Sequence, residues 1–230
     1  MMYRSGRKCL PFGIRIIHED DDILVVNKPS GLLTMGTGKE KSRTVYYILT
    51  DYVRKGYPKS PKRIFIVHRL DREASGILIF AKNIKAKLRL QETWDRTEKK
   101  YLALVHGRIK KKRGTISTYL AENRAHVVYS TSDIKKGKLS HTAYRTLDET
   151  KAFSLLEIVL LTGRKHQIRV HLAEIGHPIV GDRKYGKGNA GMVRLALHGK
   201  SISFRHPSSD KLLSIETEIP DYFFKLSGSQ

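Results

Sequence analysis

Cysteine is nearly missing from this 230-residue chain. Cys9 stands alone, which excludes an intramolecular disulfide and any zinc site built on several thiolates. No apolar run approaches the roughly 18 residues of a membrane-crossing helix. The N-terminal MMYRSGRKCLPFGIR lacks the apolar stretch of an export signal, so a cytoplasmic protein without membrane contact is expected. Internal repeats and low-complexity linkers are absent too. Cofactor and metal signatures fail one by one. His166 and His171 are five apart, a spacing that suits neither the i, i+4 pair of a helical zinc site nor one face of a strand. GTGKEKS (36–42) lacks the spacing of a phosphate-binding loop. GKGNAG (186–191) reads as a flexible loop and does not open a βαβ unit. Neither a metal nor a cofactor is expected.

Negative charge is scarce as well: 22 Asp and Glu face 44 Lys and Arg, a formal net charge of +22. Such an excess repels itself in a compact domain and points to a polyanionic partner. Nucleic acid is the leading candidate, because each neutralised phosphate releases condensed counterions. Charge alone does not separate an enzyme from a passive binder or a basic protein of the ribosome.

The length suits one sizeable core, and a single domain over 13–225 is expected, with a flexible basic arm at 1–12 and a frayed tail at 226–230. β-Branched runs at 14–20, 22–29, 64–69 and 76–82 read as strands. So do 99–109, 138–149, 152–162, 194–204 and 211–219. Val45, Ile48, Leu49 and Tyr52 recur at helical spacing within 43–55. Ile84 and Leu88 with charged partners suggest a surface helix over 84–95. Ile168, Leu172 and Ile175 form a third helical stripe, with Gly176 where a C-terminal cap belongs, and 220–226 reads as a short closing helix. Strands dominate and many connections are of hairpin length. The expected class is α+β, a mostly antiparallel mixed sheet flanked by helices, with a central basic cleft.

Two clusters could carry chemistry. VHRLDREASGILIF places His68, Arg69, Asp71 and Arg72 within five residues between two apolar strands, a rigid platform for polar groups. The flanking arginines favour an anionic Asp71, and an ionised carboxylate can act as nucleophile or base. Asp is also a common turn residue that bonds its own backbone, so spacing alone favours a structural cap. In TGRKHQIRVHLAEIGHPIVGDRKYG (162–186), Arg164, Lys165, His166 and Arg169 gather at the expected start of a helix, where free N–H groups and the dipole favour anions. Lys165 and Arg169, four apart, are expected to share a helix face away from the apolar stripe. Phosphate contact without chemistry stays open here.

Taken together these segments resemble the RluA-type RNA pseudouridine synthases, in order and over nearly the whole chain. NKPSGLL (27–33) resembles the family's opening strand and turn, and HRLDREASG (68–76) its HRLDxxTSG signature. EKKYLALVHG (98–107) resembles the tyrosine-bearing segment, and 162–186 the long third motif. RLALHG (194–199) and IETEIPDYF resemble the closing strands. The resemblance implies a synthase core that isomerises uridine in ribosomal or transfer RNA, without cofactor, as a monomer. It implies Asp71 as the catalytic aspartate, by attack on C1′ or by a glycal route. Tyr101 would be the tyrosine stacked on the target uracil, and Arg169 the arginine partnering the aspartate. Arg69 would fill the space of the flipped nucleotide, and Leu197 would pack near the base; His68, Arg164, Lys165 and His166 would join the substrate-binding set. Ala74 stands where the signature has Thr, the His-Pro often found after the first motif is missing, and with a core beginning near Ile14 no S4 domain is expected. The alternative is a non-catalytic RNA-binding or RNA-folding protein that keeps the fold. Its hallmark would be loss of the aspartate, tyrosine or arginine, and all three are present.

Overall fold

The computed structural model describes residues 8–36, 40, 42–186 and 194–227. Residues 1–7 of the expected arm, parts of GTGKEKS and GKGNAG, and the last three residues of the tail lie outside the described residues. In chain order the elements are β1 (Cys9–Leu10), β2 (Ile14–Glu19), β3 (Ile23–Lys28), α1 (Val45–Arg54), β4 (Phe65–Ile66), β5 (Ser75–Ala81), α2 (Ile84–Glu92) and β6 (Glu98–His106). There follow β7 (Arg113–Glu122), β8 (Val128–Thr131), β9 (Lys138–Glu149), β10 (Phe153–Leu160), α3 (Gln167–Glu174), β11 (Leu197–Arg205), β12 (Leu212–Glu216) and α4 (Asp221–Ser227). This is the α+β class that the alternation of short strands and few helices leads one to expect. The chain packs as two compact units: Met1–Thr97 with Ser201–Thr217, and Glu98–Lys200 with Glu218–Gln230.

In the first unit β1, β2, β3 and β5 pair in sequence, all antiparallel. β4 adds to β5 through Phe65↔Ala81 and Ile66↔Phe80, and Ser201–Arg205 of β11 pairs with β12. All seven residues of β5 are buried, as a continuous apolar run requires when a strand is covered on both faces. Ile23, Val25, Ile77 and Ile79 form a core with Ala86 and Leu90 of α2 and with Ile202 and Phe204 of β11. The helices start where side chains cap them: Thr44 Oγ1 accepts from the Tyr47 amide at 3.1 Å, and Asn83 Oδ1 from the Ala86 amide at 2.8 Å.

Three expectations change in this unit. Cys9 and Leu10 pair with Arg15 and Ile14, so the end of the expected arm is built into the sheet. The strand expected over 64–69 is two residues long, because the chain leaves the ladder to form the Asp71 loop. On α2 the inward residues are Ala86 and Leu90, while Ile84 and Leu88 are 49% and 58% exposed. The small alanine lets the helix lie close to the sheet, and the larger pair faces out.

The second unit is an antiparallel sheet in the order β6, β10, β9, β7, β8. β10 alternates, with Ser154, Leu156 and Ile158 inward, whereas β6 has both faces covered from Tyr101 to Val105. β7 and β8 arise from a stretch in which the sequence shows no clear period. Their Ser, Thr and Gly positions become strand through pairing, β7 with β9 and β8 with β7, more than through apolar alternation. α3 packs over β7, β8 and β9, with Val170 against Leu120 and Val128. It ends as its sequence requires, on Gly176 with φ 83°, a left-handed position open to glycine.

Candidate functional site

Asp71 lies half-buried in the loop between β4 and β5 of the first unit, and main-chain bonds hold that loop. Lys28 ends β3 with its side chain fully buried. Its ammonium donates to the carbonyls of Pro29 and Leu32 at 2.9 Å and of Arg72 at 3.1 Å. Gly31 N–H donates to the same Arg72 carbonyl at 2.8 Å. On the other side of Asp71, the Thr34 hydroxyl donates to Leu70 O at 2.9 Å and accepts from Leu70 N–H at 3.3 Å. Residues 70 and 72, on either side of the aspartate, are thus fixed by NKPSGLLT. Burial pushes the Lys28 ammonium down to about 7, against the nearby charges of Asp71 and Glu73, which raise it.

The other members of this cluster take separate parts. His68 Nε2 accepts from the Ile79 amide at 3.0 Å and its ring lies 4.6 Å from that of Trp94, so His68 ties the loop to β5. Arg69 is exposed. Arg72 donates to Gly31 O at 3.1 Å and pairs with Glu40 at 3.4 Å. Ala74 is buried at 1% exposure, so the missing threonine hydroxyl falls at a packed position.

The second cluster lies in the other unit and is held by side chains. Arg169, on α3, is 4% exposed and forms a bidentate pair with Asp182, Nε to Oδ2 and Nη2 to Oδ1, each 2.8 Å. Asp182 also accepts from the amides of Lys184 and Tyr185 at 2.9 and 3.0 Å. Burial raises its pKa, but the arginine fork and the two amides outweigh that and leave it below the usual carboxylate range. The Arg169 guanidinium lies 5.2 Å from the centre of the Tyr185 ring. The hydroxyl of Tyr185 meets His166 Nδ1 at 2.8 Å and accepts from Val128 N–H at 3.1 Å. Gly181 carries this turn past the chain at 194: a Cβ there would lie 1.9 Å from the Arg194 carbonyl oxygen.

The start of α3 differs from what the sequence leads one to expect. α3 begins at Gln167, so Arg164, Lys165 and His166 precede it, with His166 in the N-cap position at φ 52°. Lys165 and Arg169 do not share a face: Lys165 is exposed and pairs with Glu122, whereas Arg169 is buried. The turn is stapled by Gln167, whose Oε1 accepts from Thr162 Oγ1 at 2.8 Å and from Arg164 N–H at 3.0 Å. Its Nε2 donates to His141 O and Thr142 Oγ1, both at 2.9 Å. Tyr101 sits on β6, 8% exposed, and Leu197 opens β11, 4% exposed.

Four residues that organise these clusters were not singled out from sequence: Lys28, Thr34, Asp182 and Tyr185. The signal for Lys28 was a lysine ending an apolar strand, a costly residue to bury. Nothing in the spacing links Asp182 to Arg169, thirteen positions away around a loop. Among the described residues, no group of three or more His, Cys, Asp or Glu is placed to hold a metal ion. Nor, among the described residues, is any helix long and apolar enough to cross a membrane.

A family model described as RNA pseudouridylate synthase matches residues 22–174, a span that takes in both the Asp71 loop and the Arg169 helix. The chain belongs to the RNA pseudouridine synthase family. This is a family of isomerases, and relatives of known name agree with the match. The chain is 33% identical to an uncharacterized RNA pseudouridine synthase, YhcT, of Bacillus subtilis, over 89% of this chain and 68% of that one. It is 35% identical to ribosomal large subunit pseudouridine synthase D of Nitrosomonas europaea, over 90% and 62%. It is 36% identical to ribosomal large subunit pseudouridine synthase C of Vibrio parahaemolyticus, over 87% and 64%. The chain therefore spans about two thirds of the length of these family members. Among solved structures, human RNA pseudouridylate synthase domain containing 1 matches with a TM-score of 0.75 and 27% identity, covering 94% of this chain and 87% of that one.

Proposed function

We propose that this protein isomerises specific uridines of RNA to pseudouridine, with Asp71 as the nucleophile and without a cofactor. The observation that carries the reading is the loop of Asp71: a carboxylate with both neighbouring carbonyls pinned, at Leu70 by Thr34 and at Arg72 by Lys28 and Gly31. Such pre-organisation serves chemistry in which a carboxylate must meet one sugar carbon in a fixed geometry.

The reaction breaks N1–C1′, turns the uracil while it stays bound, and joins C5 to C1′. In the nucleophilic form an Asp71 oxygen attacks C1′ and N1 leaves with the bond pair. C5 of the rotated base then attacks C1′ and releases the carboxylate, after which C5 loses its proton and N1 takes one up. The target must first leave the helix stack, at a cost of a few kcal/mol; Arg69 is assigned to fill its place. Tyr101 is assigned as the aromatic floor under the freed base, with Leu197 packing beside it. Arg169 is assigned as the arginine that partners Asp71. His68, Arg164, Lys165 and His166 complete the substrate-binding set, His68 by holding the loop and the others by facing phosphates.

The relatives named for the ribosomal large subunit favour ribosomal RNA as substrate, with transfer RNA as the other choice. The net charge of +22 suits either. The reading places the enzyme in the cytoplasm, acting as a monomer, with residues 13–225 as the catalytic domain.

The test is pseudouridine formation in RNA from a strain lacking the gene, by wild type and by Asp71→Ala. Wild type forms pseudouridine at defined positions, and the variant loses activity on the order of 10⁴-fold while still binding RNA. A wild-type protein that bound this RNA and formed none would leave the passive binder as the answer.

A further inference from the structure

The first unit carries an open groove of about 740 Å³ that takes no part in the chemistry above. Its walls come from α1, β4 and α2, and include Tyr46, Tyr47, Arg63, Phe65, Ile84 and Lys87. Apolar residues that a folded chain usually hides stand open here: Tyr47 is 53% exposed and Ile84 49%. The Arg63 guanidinium lies 4.8 Å from the centre of the Phe65 ring, a flat cation spread on an aromatic face. Among the described residues, the lining holds two cations and no carboxylate. Lys62 and Lys85, both exposed, adjoin it in sequence. Asp51, one helical turn beyond Tyr47, is outside the lining.

The groove also lies close along the chain to the Asp71 loop. Ile66 lines it, and Asp71 follows five residues later, a reach of at most about 18 Å. Met35 lines it too, next to Thr34, whose hydroxyl holds Leu70.

We propose that this groove binds an unpaired nucleotide of the substrate RNA strand near the modified uridine, its base stacked on Tyr47 and the apolar floor, its phosphates met by Arg63 and Lys87. Aromatic faces beside cations are the means by which proteins hold single strands without reading sequence. A peptide ligand would use the apolar floor equally, but it gives no reason for cations unrelieved by a carboxylate. The proposal rests on the synthase reading for the identity of the strand.

The experiment measures binding of a short, fluorescent, uridine-rich single-stranded oligoribonucleotide by anisotropy, for wild type, Tyr47→Ala, Tyr47→Phe, Arg63→Ala and Lys87→Ala. Thermal unfolding confirms that each variant is folded, as exposed positions allow. Tyr47→Ala weakens binding about tenfold, whereas Tyr47→Phe binds as wild type does. Arg63→Ala and Lys87→Ala each flatten the log–log salt dependence by about 0.7. Ultraviolet crosslinking places a nucleotide adduct on the peptide of Tyr46 and Tyr47. On an RNA that wild type modifies, Tyr47→Ala raises KM and spares kcat. Wild-type affinity in Tyr47→Ala, equal losses in Tyr47→Ala and Tyr47→Phe, or an adduct found only elsewhere overturns the proposal. If wild type forms no pseudouridine but Tyr47→Ala still weakens binding, the synthase reading fails and the groove stands. If pseudouridine forms and Tyr47→Ala binds normally, the groove alone fails.

Discussion

The loop of Asp71 and the turn of Arg169 solve the same problem by different means. The first fixes a carboxylate through main-chain carbonyls, an amide, one lysine and one threonine hydroxyl. The second fixes a guanidinium through a carboxylate and backed aromatic side chains. In the first, the bonds that hold the loop fall on the main chain to either side of Asp71. In the second, the presented residue is a strut, and removing its partner strands a buried charge. The second site thus ties chemistry to folding.

Three measurements test this contrast. Asp182→Ala leaves Arg169 buried without its carboxylate, and chemical denaturation should show a loss of about 4 kcal/mol; an unchanged midpoint would mean that the turn does not depend on the pair. Lys28→Met keeps the apolar bulk but leaves the carbonyls of Pro29, Leu32 and Arg72 without their shared donor. A loss of about 2 kcal/mol follows, and hydrogen exchange should rise at Gly31 and Leu70 before it rises in the strands. If exchange rises uniformly instead, the lysine supports the whole unit and not the loop.

The smallest effect is in acid. His171 meets the hydroxyls of Thr142 and Thr118 at 2.9 and 3.0 Å, and burial, aided by the charge of His141, pushes it down from 6.5 to about 4. Between those values the unfolded chain binds the proton and the folded chain does not, so stability falls as pH drops through this window and is flat above it. From pH 6.5 to 5.5 the loss is about 1 kcal/mol, and His171→Gln should flatten that limb. The first unit's counterpart is Asp20. Burial raises its pKa, but His18 at 2.8 Å, the amides of Ile23 and Asp22, and His206 outweigh that and hold it below 3.8. A depressed carboxylate gives stability above its unfolded value and loses it below, so this contribution fades only under about pH 4. Acid should loosen the second unit before the first; the reverse order in site-resolved exchange would contradict the assignment.

Much of the fold was legible because strong apolar runs fall where strands are covered on both faces, as in β3 and β5. Reading failed where packing overruled period. Ile84 and Leu88 form a regular stripe, yet Ala86 and Leu90 carry α2 onto the sheet. β7 and β8 became strands through their partner and not through their own alternation. The candidate site shows the same division. Asp71 stands out between arginines, but Lys28 reaches Arg72 across 44 positions and Asp182 reaches Arg169 across 13. Such links are made by topology, which residue spacing does not encode.

The first unit is discontinuous, and its core is closed by Ile202 and Phe204. On the ribosome, Ile23, Val25, Ile77 and Ile79 emerge long before those partners. All of Glu98–Lys200 must be synthesised in between, a wait of roughly 5–20 s at ordinary rates of translation. For that interval α2 alone covers the apolar sheet face, and part of it stays open while the second unit is still being made. Release of a chain cut short before residue 202 would leave that part permanently uncovered, and such a fragment is a natural client for chaperones.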